Sequence, residues 1–178
     1  VDNFKCFLSL KSIDTGHFTP SNFTLTIYPV SQSWDEGIGR DVGSFSDIDV
    51  VNFNTASFGG GTLYLWFASG ANKMGLLGSD DIDIVSSGNL GFGVEDLFVE
   101  QHFHEGKEDL YVDITKMVSA TLVGLLPDHG FRVSFSQAEE EDEKSRFVKR
   151  FYSRHVNNVF RQPSLRVLFD DSIKDDHE

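Results

Sequence analysis

His102-Phe103-His104-Glu105 sets two imidazoles at i and i+2, and on a strand both project to one face as a potential metal pair. No third ligand is specified. The pattern therefore reads as exposed histidines on a polar strand face, and no metal is expected. Asp80-Asp81-Ile82-Asp83, with Asp41, Asp47 and Asp49, offers the oxygens that calcium prefers. The glycine and closing glutamate of an EF-hand loop are not in register, so these read as solvated turn acids. Asp35-Glu36 is a carboxylate pair, but adjacent residues on one loop do not flank a bond as glycoside hydrolysis requires. Neither Gly91-Phe92-Gly93 nor Gly59 to Gly61 is followed by the Lys-Ser or Lys-Thr of a phosphate loop, and Gly-x-Ser-x-Gly is absent. The chain reads as a non-enzyme with no cofactor.

The residues left over suit binding. Trp34 stands at the end of an alternating strand and is expected to be a buried plug, with Glu36 paired to a base. Trp66 lies in a glycine-rich stretch and is the better contact residue. Five acids run from Glu139 to Glu143. Seven bases and no acid follow from Lys144 to Arg166, and the chain closes on an acidic tail, 171–178. The acid run reads as a solvated loop. Lys149 and Arg150, interleaved with Phe147, Phe151 and Tyr152, either pair with acids inside the fold or meet an acidic neighbouring subunit, and they are the basic contact candidates. Tyr64, Trp66 and Phe67 are the apolar contact candidates.

Composition narrows the class. With 28 acids against 15 bases the net charge is -13, which excludes an overall basic field for nucleic acid. Apolar runs are too short for a membrane span or a signal-peptide core. Aromatics make up 13% of the 178 residues, a content that disordered chains lack. The single Cys6 excludes an internal disulfide framework and fits an intracellular origin or a particle assembled in a cell. A start at Val1 suggests a fragment or processed product.

The elements that must position these residues are strands. Phe23, Leu25 and Ile27 alternate with polar partners, as do Phe131, Val133 and Phe135, and Leu165, Val167 and Phe169. The first two sets, with Leu165 and Val167, form the expected core. Phe4 to Leu10, Leu63 to Phe67, Leu97 to His104 and Phe147 to Tyr152 are further candidate strands. Ile114, Met117 and Val118 mark a short helix near Asp113 to Gly124, its stripe continued by Leu122 and Leu125. Asp113 or Thr115 is the N-cap and Pro127 the stop. The expected fold is all-β, an antiparallel β-sandwich or jelly roll with one short helix. It forms a single domain over residues 1–170. Nine glycines in the 37 residues from Ser57 to Gly93 predict a long irregular excursion with short strands.

The order of motifs carries a resemblance. Tyr28-Pro29 and Ser33-Trp34-Asp35-Glu36-Gly37 are followed by Val51-Asn52-Phe53-Asn54. Then come Tyr111-Val112-Asp113-Ile114-Thr115, Gly130-Phe131-Arg132-Val133, Phe151-Tyr152-Ser153-Arg154 and Pro163-Ser164-Leu165-Arg166-Val167. This order resembles the DNRLRE-type β-sandwich domains, which are like carbohydrate-binding jelly rolls. Phe53 stands where that family usually has Trp, and His155 where Glu usually follows Ser-Arg. The wording around Tyr28 to Gly37 and Val148 to His155 is similar to virion structural proteins of tailed bacteriophages. The resemblance implies an assembly module located in the virion, at the neck, tail, baseplate or capsid exterior. Its partners are other virion subunits in a homo-oligomer or hetero-assembly. Trp34, Glu36, Asp113 and Arg154 are its motif residues, Arg154 the expected partner of Glu36. The rival reading is a carbohydrate-binding module or adhesin domain.

Overall fold

In a computed structural model the described residues are 4–14, 21–36, 50–91, 93–140 and 148–170. They form eleven strands, one helix of eight residues and two single helical turns, an all-β fold of the sandwich class. Every strand pair whose register is resolved is antiparallel except one. The chain clusters into two compact units.

In the first unit, β1 (Phe4–Leu10) is the middle strand of a sheet ordered β11-β1-β9, with β9 (Leu110–Asp113) and β11 (Ser164–Phe169) antiparallel to it. Cys6, Leu8, Leu110 and Val112 are buried. β2 (Phe23–Pro29) starts here beside β8 (Val99–Phe103), and the Phe23 ring stacks on Phe103 at 4.9 Å. Phe23 and Leu25 are buried as their alternation predicts. Asp113 starts helix α1 (Thr115–Leu122): its Oδ1 accepts the Thr115 amide and hydroxyl, while Thr115 Oγ1 accepts the Cys6 amide at 2.8 Å. On the single turn α2 (Gln137–Glu140), Glu139 Oε2 reaches back to accept the Ser136 amide and hydroxyl.

Two expectations fail in this unit. Leu165 and Val167 are 56% and 50% exposed, although Leu8 and Cys6, their partners on β1, are buried. β11 is an edge strand, and the core beneath β1 does not extend under it. The stretch Phe147 to Tyr152 is no strand in its described part. Residues 148–152 run beside β1's continuation through a lone Ser12–Phe151 bridge, with Ile13 and Tyr152 amides donating to Arg150 and Lys11 carbonyls.

The second unit holds the rest of β2, where Ile27 is fully buried. β10 (Phe131–Phe135) neighbours it, and the Val30 amide donates to the Gly130 carbonyl. Phe131 and Val133 on β10, like Phe135, are half-buried rather than full core, and Ser134 is the buried residue of that strand. Ala120 is buried near the end of α1. Gly124, at φ 76°, turns the chain so that the Leu125 and Leu126 amides both reach the Ala120 carbonyl. That reversal buries Leu126 and leaves Leu122 and Leu125 exposed, against the predicted stripe.

The glycine-rich stretch carries short strands separated by turns. β3 (Thr55–Gly59) and β4 (Thr62–Leu65) make a hairpin. β5 (Met74–Leu76) pairs parallel with β6 (Ile84–Asn89), and β7 (Val94–Asp96) pairs antiparallel with β6. Several glycines are there for close approach. A Cβ at Gly88 would sit 2.5 Å from Leu77 Cβ, and one at Gly75 2.4 Å from Ile82 Cγ2.

Candidate assembly surface

The β3–β4 hairpin turns at Gly60-Gly61, with φ of 58° and 84°, the backbone of a type I′ turn that only glycine and asparagine enter readily. Its base is pinned from below. Asn52 Oδ1 accepts the Asn54 and Thr55 amides, its own amide donates to the Thr55 carbonyl, and its carbonyl accepts Trp66 Nε1 at 2.9 Å. Asp35 ties down the next stretch: its amide donates to the Ala56 carbonyl and its Oδ2 accepts the Phe58 amide at 3.1 Å. The Asp35 carboxylate thus serves as a brace for β3.

Above that base every β4 residue is exposed, on both faces. Tyr64 is 54% and Leu65 59% exposed, and Phe58, Leu63 and Phe67 are exposed with them. Phe58 faces Leu63 and Ser57 faces Tyr64 in the register. From Val50 to Asn72, 23 residues, there is no Asp, Glu, Lys or Arg, in a chain that is 24% charged. That charge-free window was readable in the sequence and marks the surface more sharply than its glycines do. Of the predicted contacts, Tyr64 and Phe67 are exposed here, while Trp66 is half-buried and held by Asn52.

Lys149 is turned into its own chain. Its ammonium donates to Ser12 Oγ at 2.7 Å and to the Gly106 and Glu108 carbonyls at 2.9 Å each. It also lies 5.1 and 5.0 Å from the Phe103 and Phe151 ring centroids. Burial lowers its pKa, against the opposing pull of Glu108 and Asp109. The same loop is held by the opposite charge: Glu108 Oε1 accepts the His104 and Glu105 amides at 2.8 Å. Burial raises the Glu108 carboxyl, but backbone N–H donation outweighs it and holds the pKa at about 2. An anion takes the loop's amides and a cation its carbonyls. Arg150, the other basic contact candidate, is exposed.

Beside this clamp lies an open cleft of about 440 Å³ lined by Lys11, Ser12, Asp14, Asp109, Tyr152, Phe160 and Arg161. Lys11 pairs with Asp109 at 2.8 Å, and Arg161 donates to Tyr152 OH at 2.7 Å while lying over its ring. Of these only Tyr152 is singled out by the sequence, beside the bases Lys149 and Arg150. Lys11, Asp14 and Asp109 reach the cleft from separate parts of the chain, a meeting no local pattern announces.

The remaining candidates fall in several places. Trp34 is 39% exposed rather than buried, because its indole N–H is met by the His129 carbonyl at 2.7 Å at the surface. Glu36 is exposed in the second unit, and Arg154 is exposed in the first. Asp113 caps α1, and hydrogen bonds from Thr115 lower its carboxyl below the usual range. His102 spends its ring nitrogens on Asn22 Oδ1 at 3.2 Å and Thr24 Oγ1 at 3.1 Å, with His104 edge-on to its ring. Asp83 is fully buried, not a solvated turn acid. Asp41, Asp47, Asp49, the acids 141–143 and the tail 171–178 lie outside the described residues. No helix among the described residues is long and apolar enough to cross a membrane.

Comparison with known proteins finds no matching family model, no matching curated protein and no matching solved structure.

Proposed function

We propose that this protein is a non-catalytic structural subunit that works by docking onto other protein subunits. The observation that carries the reading is the hairpin, which offers water an uncharged apolar surface of Phe58, Leu63, Tyr64, Leu65 and Phe67. Solvent-facing strands ordinarily carry charge or proline to discourage pairing. A contiguous apolar patch without either is the usual mark of a protein interface. We infer that the docking occurs in the virion of a tailed bacteriophage, among neck, tail, baseplate or capsid-exterior proteins, as the resemblance in the sequence suggests. Mass spectrometry of purified particles is expected to find the chain at fixed stoichiometry. Complementation with Tyr64→Lys is expected to give particles lacking it. Particles without the chain, or normal uptake of the variant, would sink the reading.

One observation favours a second reading, a carbohydrate-binding module. Tyr152 and the exposed Phe160 line a cleft whose acids and bases balance, the mix of aromatic face and hydrogen-bonding groups that a neutral sugar uses. Titration of the isolated chain with neutral oligosaccharides, with Tyr152→Ala as control, separates the two.

A further inference from the structure

We propose that the occupant of the hairpin is a second copy of this chain, its β4 laid antiparallel against β4 about a two-fold axis. The two hairpins then make one four-stranded sheet. The inference rests on the assembly reading and names the partner for that same surface.

Three observations point to a second copy. The first is topology. Among the described residues β4 pairs with β3 alone, in a sheet of two strands. A two-stranded hairpin is marginal in water, and three or more strands are needed for independent stability. The second is the edge itself. The register shift lies on the β3 side, between Thr55 and Ser57, and Thr62-Leu63-Tyr64-Leu65 carries no proline and no charge. β4 is short, four residues, but it carries no charge, proline or bulge to stop edge pairing. In an antiparallel two-fold pairing the strand meets itself, so aliphatic and aromatic side chains face each other and no like charges are opposed.

The third observation is charge. Each copy carries -13, so copies repel. The exposed residues of the charge-free window from Val50 to Asn72 offer a surface through which two such chains meet without opposing like charges. A basic partner drawn to an acidic protein would be met by acids at its contact. β4 itself carries none, and the acid nearest the hairpin, Asp35, is held on the Phe58 amide of β3.

Sedimentation velocity of the intact chain over a wide concentration range tests this. A monomer–dimer equilibrium is expected, and it tightens as NaCl is raised, because salt screens the repulsion between copies. Tyr64→Lys sets two like charges opposite each other where the axis passes at Tyr64, and Leu65→Glu sets a carboxylate against the second copy's Leu63; each is expected to weaken it at least about tenfold. Circular dichroism checks that both variants fold. Tyr64→Cys, in a Cys6→Ser background, is expected to give a covalent dimer on mild oxidation, whereas Leu122→Cys at the exposed end of α1 does not. A chain that stays monomeric at all salt concentrations overturns the inference, as does a dimer indifferent to both charge variants. If the chain is monomeric but Tyr64→Lys still blocks its uptake into particles, the second-copy inference falls and the assembly reading stands. If Tyr64→Lys changes neither, both fall.

Discussion

Asp83 and Lys73 are joined twice through the backbone: Asp83 Oδ2 accepts the Lys73 amide at 3.0 Å, and the Asp83 amide donates to the Lys73 carbonyl at 2.8 Å. The carboxylate is fully buried and takes three more donors, the Phe67 and Ala68 amides and Gln32 Nε2. It is the hub that ties the segment leaving the hairpin to the start of β6. Asp83→Ala leaves those part-buried donors without their shared acceptor and is expected to cost on the order of 2–4 kcal/mol. Asp83→Asn keeps one acceptor oxygen but turns an NH2 towards backbone N–H groups, so it should lie between. Urea denaturation measures both; a loss within about 0.5 kcal/mol, the size of a surface change, would show that water replaces the lost bonds.

Glu108 gives the protein an acid-sensitive loop. Its folded pKa, about 2, lies below the ordinary value of 4.5. The unfolded chain therefore binds the proton more readily. The contribution is fully present above the ordinary value and is lost as pH falls from there through about 2. Stability of the wild type is expected to drop more steeply across that window than stability of Glu108→Gln. Parallel curves for the two would show that the carboxylate is not held as the loop geometry implies.

Lys149→Met tests the other half of the clamp. It removes three hydrogen bonds and two ring contacts, and strands the Gly106 and Glu108 carbonyls. The expected cost is about 2–4 kcal/mol. Hydrogen exchange should quicken first at the His104, Glu105 and Gly106 amides. Equal exchange in both proteins would mean the loop holds without the lysine.

Gly88→Ala addresses packing rather than backbone freedom. The added methyl meets Leu77 Cβ at 2.5 Å and Leu97 Cδ1 at 3.0 Å, and the first of these cannot swing away. The expected cost is about 1–3 kcal/mol, read from thermal melts. An unchanged melting temperature would show that the β5–β6 pair shifts freely.

What the sequence made legible follows from physics that is local. Period two found β2, β10 and β11 because alternation is a property of consecutive residues, and Asp113 marked the start of α1 because a cap acts over two or three positions. Burial was less legible. Alternation shows which side of Leu165 faces the sheet's core side, not whether any core lies beneath an edge strand. The glycines of the 57–93 stretch suggested irregularity because composition cannot separate a glycine needed for a turn, such as Gly60, from one needed for close packing, such as Gly88. The cleft and the Lys149 clamp gather residues more than forty positions apart, and no window reads that distance.

The contrast between Leu25 and Leu165 tests the core assignment. Both are leucines at inward positions of an alternating strand, and both were expected to be core. Leu25 is buried on β2, whereas Leu165 is 56% exposed on the edge strand β11. Leu25→Ala is therefore expected to cost about 2–5 kcal/mol, the transfer term plus the cavity it leaves. Leu165→Ala is expected to cost about 0.5 kcal/mol or less in the isolated chain, since it opens no cavity. Chemical denaturation of the two variants side by side reads the difference. A large loss for Leu165→Ala would mean that something covers β11 in solution, and a small loss for Leu25→Ala would put the core elsewhere.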